Sequence, residues 1–141
     1  MVYISRSEKE TYSIADKVAS HAEPGDVFAL FGDLGSGKTT FTKGFAAYLG
    51  VKKNITSPTF VISKEYLVSS SSIKKLVHVD CYRLDGENDA ESVGLNEHID
   101  TQDIVLIMEW PEKIEKILPK KTKKIYFEYI NENTRKITVS K

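Results

Sequence analysis

Residues 32–39 read Gly-Asp-Leu-Gly-Ser-Gly-Lys-Thr and match the pattern G-x-x-x-x-G-K-[ST] in full. Each part of the pattern has its own physical reason. The glycines let the chain turn tightly and bring backbone N–H groups against phosphate oxygens. A helix starting near Lys38 aims the positive end of its dipole at the same anion. Lys38 supplies a point charge to the β- and γ-phosphates. The Thr39 hydroxyl is a natural Mg²⁺ ligand. A strand-to-helix turn with a surface lysine would be the plainer reading. The apolar run VFAL before the loop and the helical spacing after it favour a nucleotide phosphate site.

Such a site needs a carboxylate for the metal or for the attacking water. LVHVD places Asp80 at the end of one apolar strand, and IVLIME places Glu109 at the end of another. Ligands of open α/β sheets gather at the carboxyl ends of parallel strands. One acid would hold Mg²⁺ and the other would orient water. Spacing alone does not assign the roles, and either acid could instead cap a neighbouring loop. Ser57-Pro58-Thr59 stands where a switch-like loop would offer a hydroxyl to the γ-phosphate or the metal, with Pro58 as a stiffener. An ordinary turn is the alternative there.

Arginine, often used to complete phosphoryl-transfer sites, is confined to Arg6, Arg83 and Arg135. Arg83 either faces the site or makes a surface ion pair. The scarcity points to slow intrinsic turnover or help from a partner in trans. His78 lies two residues before Asp80 and shares its face. A hydrogen-bonded core histidine is favoured over a general base. Cys81 reads as packing. Trp110, beside Glu109, either packs near the site or serves as a core aromatic.

The elements that must hold these groups follow from composition and periodicity. The chain has 141 residues, 40% of them hydrophobic, which suits one domain spanning 1–141. Lys+Arg and Asp+Glu both number 20, a balance that argues against an autonomous nucleic-acid binder. A single cysteine excludes an intrachain disulfide framework and a cysteine-rich zinc site. Without an apolar run of spanning length or an apolar signal core, the expected location is cytoplasmic, away from membranes.

MVYI predicts a short edge strand. A helix follows over SEKETYSIADKVASHA, with Tyr12, Ala15, Val18, Ala19 and Ala22 on its apolar face. Ser7 is its N-cap, with Glu10 completing a capping box. Pro24-Gly25 ends it. DVFALF predicts a buried strand. Phe41, Phe45, Tyr48 and Leu49 mark the face of the next helix, closed by Gly50.

TFVISKEYLV and SIKKLVHVD predict two strands joined by the serines at 69–72, and NDAESVGL predicts a short helix. Asp103 to Met108 is another strand, and Pro111 opens a helix to about Leu118. KKIYFEYI and TRKITVS form a hairpin over NEN. The class is α/β: a mixed, mostly parallel central sheet with helices on both faces and antiparallel hairpins.

GDLGSGKTT, SPTF, HVDCYRL and EW, in this order, resemble the bacterial TsaE (YjeE) family over essentially the whole chain. The resemblance implies a P-loop NTPase-like fold and Mg²⁺-dependent ATP hydrolysis. It also implies work with TsaD and TsaB on the threonylcarbamoyl group of adenosine 37 in tRNAs reading codons that begin with A. In that scheme TsaD makes the transfer, the ATPase supports turnover, and tRNA is met only through the complex.

By position, the resemblance wraps Leu34, Gly35, Ser36, Gly37, Lys38 and Thr39 around the phosphates, with Thr40 beside them. It puts Thr39 and Glu109 on Mg²⁺ and Asp80 near the nucleotide, positioning water or standing behind the ligands. Lys38, Asp80 and Glu109 form the expected catalytic set. Thr59 joins the switch-like loop, and Glu8 and Arg135 match positions that close over the nucleotide. Cys81 departs from a leucine common in the family, a change of packing. A small-molecule kinase would need an acceptor pocket and an arginine-bearing lid. A GTPase lacks support without an N-K-x-D motif. A nucleotide-gated binding module, in which ATP orders the SPTF loop and Trp110 for docking, is the alternative of a different class.

Overall fold

The computed structural model describes residues 1–56, 63–69, 72–82 and 102–140. These carry one seven-stranded sheet in the order β1-β7-β6-β2-β5-β4-β3. The strands are β1 (Val2–Ser5), β2 (Val27–Phe31), β3 (Ser63–Leu67), β4 (Lys75–Asp80), β5 (Ile104–Glu109), β6 (Lys123–Asn131) and β7 (Thr134–Val139). The central four, β6-β2-β5-β4, are parallel, while β1, β7 and β3 add antiparallel flanks. Every residue of β2 and β5 is buried, because both faces of the sheet are covered there. Their sequences are accordingly continuous apolar runs and do not alternate. The mixed α/β class read from the sequence is the one observed.

Helices α1 (Glu8–Ala19) and α2 (Lys38–Tyr48) pack together on one face, over Phe28, Leu30, Leu76, Val105 and Ile107. Gly44 permits that approach: a Cβ there would stand 2.7 Å from the Tyr12 ring and 3.0 Å from the Ala15 methyl. The other face, with Ala29, Val77, Val79, Leu106 and Met108, packs against Ile114 of a 3-10 segment, Pro111–Ile117.

The expected caps form, with one adjustment. Ser7 Oγ accepts from the Glu10 N–H at 3.1 Å, but Glu10 Oε2 accepts from the Arg6 N–H at 2.6 Å, so the box closes one residue early. At the far end of α2, the Gly50 and Val51 N–H groups donate to Ala47 and Ala46 carbonyls, a Schellman closure.

Three expectations need correction. Tyr12 and Tyr48 are 37% and 52% exposed. The buried stripe of α1 runs through Thr11, Ile14, Ala15 and Ala19, and that of α2 through Phe41, Thr42, Phe45 and Ala46, so each tyrosine lies on a flank. The helix after Pro111 is a 3-10 segment broken at Ile114 (φ −125°). Pro119 disfavours helical backbone at the residue before it, and Leu118 is extended. The expected helix over 88–95, the start of the SPTF strand, Thr59 and Arg83 lie outside the described residues. Among the described residues no helix is long and apolar enough to cross a membrane.

Candidate nucleotide site

The carboxyl ends of β2, β4 and β5 meet at one end of the parallel sheet, where residues 32–37 connect β2 to α2. That loop turns through glycines with positive φ at 32, 35 and 37. Gly32 has φ +154°, and a Cβ on it would sit 2.7 Å from the Phe127 carbonyl oxygen and from Ser36 Oγ. Gly37, the N-cap of α2, has φ +103°, which side chains rarely adopt. The result is a cleft of about 840 Å³ above the helix start, within the size range of small-molecule sites.

Lys38 is only 5% exposed. Its Nζ donates to the Gly32 carbonyl and lies 3.4 Å from the centroid of the Trp110 ring. Burial pulls the Lys38 pKa below the ordinary lysine value; Glu109, Glu112, Asp33 and Asp80 pull the other way without cancelling that effect. A desolvated cation at the mouth of a helix dipole is a receptor for an anion.

Glu109 is 3% exposed and has both oxygens engaged. Oε1 accepts from the Thr39 hydroxyl at 3.0 Å, and Oε2 stands 2.6 Å from His78 Nε2. Asp80 is paired with Glu109 in the β4–β5 register, but it is only half-buried, and its Oδ1 accepts from the Tyr82 N–H at 3.0 Å. His78 is thus the hydrogen-bonded core histidine expected, with Glu109 as its partner. Cys81 is fully buried, and burial first, then Asp80 and Glu112, push its thiol up to about 12. It packs in the core, as expected.

Mg²⁺ favours oxygen ligands and usually takes one or two protein oxygens, leaving the rest to water and phosphate. The Thr39 hydroxyl and the Glu109 carboxylate, 3.0 Å apart on the cleft wall, fit that demand. Thr39 would not have to give up its bond to Glu109 to serve as such a ligand. Among the described residues no group of three His, Cys, Asp or Glu side chains could cage a metal alone.

The cleft brings together Leu34, the other loop residues through Thr40, Asp80, Glu109, Glu8 and Arg135. Leu34 is 88% exposed, which leaves its backbone as the part that can serve the cleft. Arg135 reaches the loop from β7: Nε donates to the Gly35 carbonyl at 3.0 Å, and Nη1 donates to the carbonyls of Asn131, Glu132 and Thr134.

Trp110 moves from an open reading to a site residue. Its backbone is left-handed (φ 56°, ψ 50°), a conformation costing a non-glycine residue about 1–2 kcal/mol, and it turns the indole onto Lys38. Sequence reasoning missed Ser5, Thr11, Tyr82 and the hairpin turn Glu132–Asn133, which also line the cleft. Two of these had a signal: Tyr82 stands inside HVDCYRL, and the turn precedes Arg135 by two residues.

The family model for threonylcarbamoyl adenosine biosynthesis protein TsaE matches residues 5–137. The tRNA threonylcarbamoyladenosine biosynthesis protein TsaE of Bacillus subtilis is 44% identical over 130 residues, which cover 92% of this chain and 78% of that protein. Its namesake in Treponema pallidum is 35% identical over 137 residues, 97% of this chain and 98% of that one. The crystal structure of Bacillus subtilis YdiB matches with a TM-score of 0.76 at 39% identity, over 99% of this chain and 83% of that one.

Proposed function

Because the chain belongs to the TsaE family, we propose that it is a Mg²⁺-dependent ATPase of the cytoplasm. In this reading it acts with TsaD and TsaB proteins in forming the threonylcarbamoyl group on adenosine 37 of tRNAs reading codons that begin with A. The observation that carries the ATPase part is the Thr39–Glu109 hydrogen bond, 3.0 Å long, at the foot of the glycine loop. It sets a hydroxyl and a carboxylate side by side where a nucleotide-bound Mg²⁺ would need them.

The roles follow from position. The backbone of residues 34–39 and Lys38 Nζ bind the phosphates, with Lys38 leaving the Gly32 carbonyl to do so, and the Ser36 N–H leaving the Asp33 carbonyl if it joins them. Thr39 and Glu109 would hold Mg²⁺, which would neutralise charge on the phosphate oxygens. Asp80, the more accessible acid, accepts a hydrogen bond from the attacking water and orients it toward the γ-phosphorus. Arg135 is committed to four backbone carbonyls, so using it on transition-state charge would cost those bonds. That supports slow turnover by the chain alone.

A nucleotide-gated binding role draws on the Lys38–Trp110 contact of 3.4 Å. Phosphate that draws Lys38 away uncovers the face of the indole, which packs beside the Tyr82 ring at 5.1 Å between centroids, and a partner could read the change. ATP hydrolysis by the purified chain, alone and with TsaB and TsaD of the same organism, tests both readings. Slow hydrolysis that rises with both partners is expected. A rate indifferent to them overturns the proposed dependence on TsaB and TsaD and casts doubt on the tRNA-modification role. Nucleotide-dependent docking that survives Asp80→Asn would favour gating.

A further inference from the structure

His78 and Glu109 form the most enclosed polar pair at the site. His78 is fully buried, and its Nε2 lies 2.6 Å from Glu109 Oε2. A carboxylate oxygen accepts, so Nε2 carries the proton. The ring's Nδ1 is buried without a partner among the described residues. A side chain kept only for packing would do better without that atom, since a buried polar group lacking a partner is costly. The register explains the meeting: His78 faces Ile107 and Asp80 faces Glu109 on adjacent parallel strands, with the side chains of 78, 80 and 109 toward α2.

We propose that His78 is a positioning residue for Mg²⁺: its Nε2–H pins Glu109 Oε2, so that Oε1 is the oxygen turned to Thr39 and left for the cation. A Glu side chain has three rotatable bonds, and without the anchor Oε1 and Oε2 would exchange and the carboxylate would swing. With it, the Thr39 hydroxyl and Oε1 stand pre-set at 3.0 Å. Hydrogen bonds behind a metal ligand commonly govern affinity in this way. The inference rests on the Mg²⁺–ATP reading above.

The test measures ATP binding across a Mg²⁺ series for wild type, His78→Leu and His78→Gln, with ATP affinity in chelator as the control. Gln can place an amide N–H near the position of Nε2; Leu fills space without a donor. The expectation is a Mg²⁺ requirement raised about 10-fold or more in His78→Leu, unchanged metal-free binding, and recovery of most of the loss in His78→Gln.

A folded His78→Leu chain with the wild-type Mg²⁺ titration overturns the inference, as does equal impairment of both variants. If His78→Leu does not fold, ¹⁵N NMR of the wild-type imidazole decides. An Nε2–H tautomer whose signal shifts when Mg²⁺ joins the ATP complex supports the assignment; an Nδ1–H tautomer, or no shift, overturns it. Wild-type ATP binding that ignores Mg²⁺ would instead bring down the metal reading itself, whatever the variants do.

Discussion

Asp80 and Glu109 end adjacent parallel strands at the same level of the sheet, yet they occupy different environments. Glu109 is 3% exposed, with Thr39 on one oxygen and His78 on the other. Asp80 is half-buried and is bonded to the N–H of Tyr82, a residue that is 60% exposed. An acid locked from two sides is suited to holding something still. An acid tied loosely at the rim is suited to exchanging partners, as with a water that must be aligned and consumed. Two strand-end carboxylates that look equivalent in sequence are separated by their neighbours.

The comparison can be broken or sharpened by substitution. The largest effect is expected from Asp80→Asn. Hydrolysis should fall by about 10²–10⁴-fold, while Mg²⁺-dependent ATP binding and stability stay near wild type, because Asn can still accept from the Tyr82 N–H. Single-turnover kinetics alongside a metal titration would check it. A lost metal dependence would reverse the two roles.

Lys38→Met should weaken ATP binding by about 10–100-fold, the value of a charge-assisted hydrogen bond. The free protein's Tm should hold or rise, since burial already disfavours that charge. A Tm lower by several degrees would make Lys38 a structural residue. The pH dependence has a definite sign. A lowered Lys38 pKa means the proton leaves earlier as pH rises, so ATP affinity should decline on the alkaline side while still below 10.5. Affinity constant up to that value would contradict the assignment.

Glu109→Ala should cost stability where Asp80→Asn does not. It strands a buried His78 donor, a penalty of about 1–3 kcal/mol, and flattens the Mg²⁺ titration of ATP binding. Urea denaturation of the two variants would measure the contrast directly, and an unchanged metal titration would pass the cation to Asp80. The smallest effect is expected from Arg135→Ala, at most about 10-fold on ATP affinity, because it acts only indirectly, by releasing the Gly35 carbonyl of the glycine loop. No change would leave it as a brace of the hairpin turn.

What the sequence determined by itself was contiguous. The glycine loop was legible because one unbroken stretch of backbone makes it, and its glycines are dictated by local geometry. Strands β2 and β5 were legible because burial on both faces demands apolar runs, and the caps of α1 and α2 because they are made within a few residues.

The tertiary structure decided what depends on distant partners. Glu109 is distinguished from Asp80 by contacts 31 and 70 residues away, with His78 and Thr39. Arg135 reaches Gly35 across 100 residues. Trp110 is committed to the site by a left-handed backbone that no residue type announces. Such pairings follow from strand order and register, and a slip of one residue would send every side chain of a strand to the opposite face.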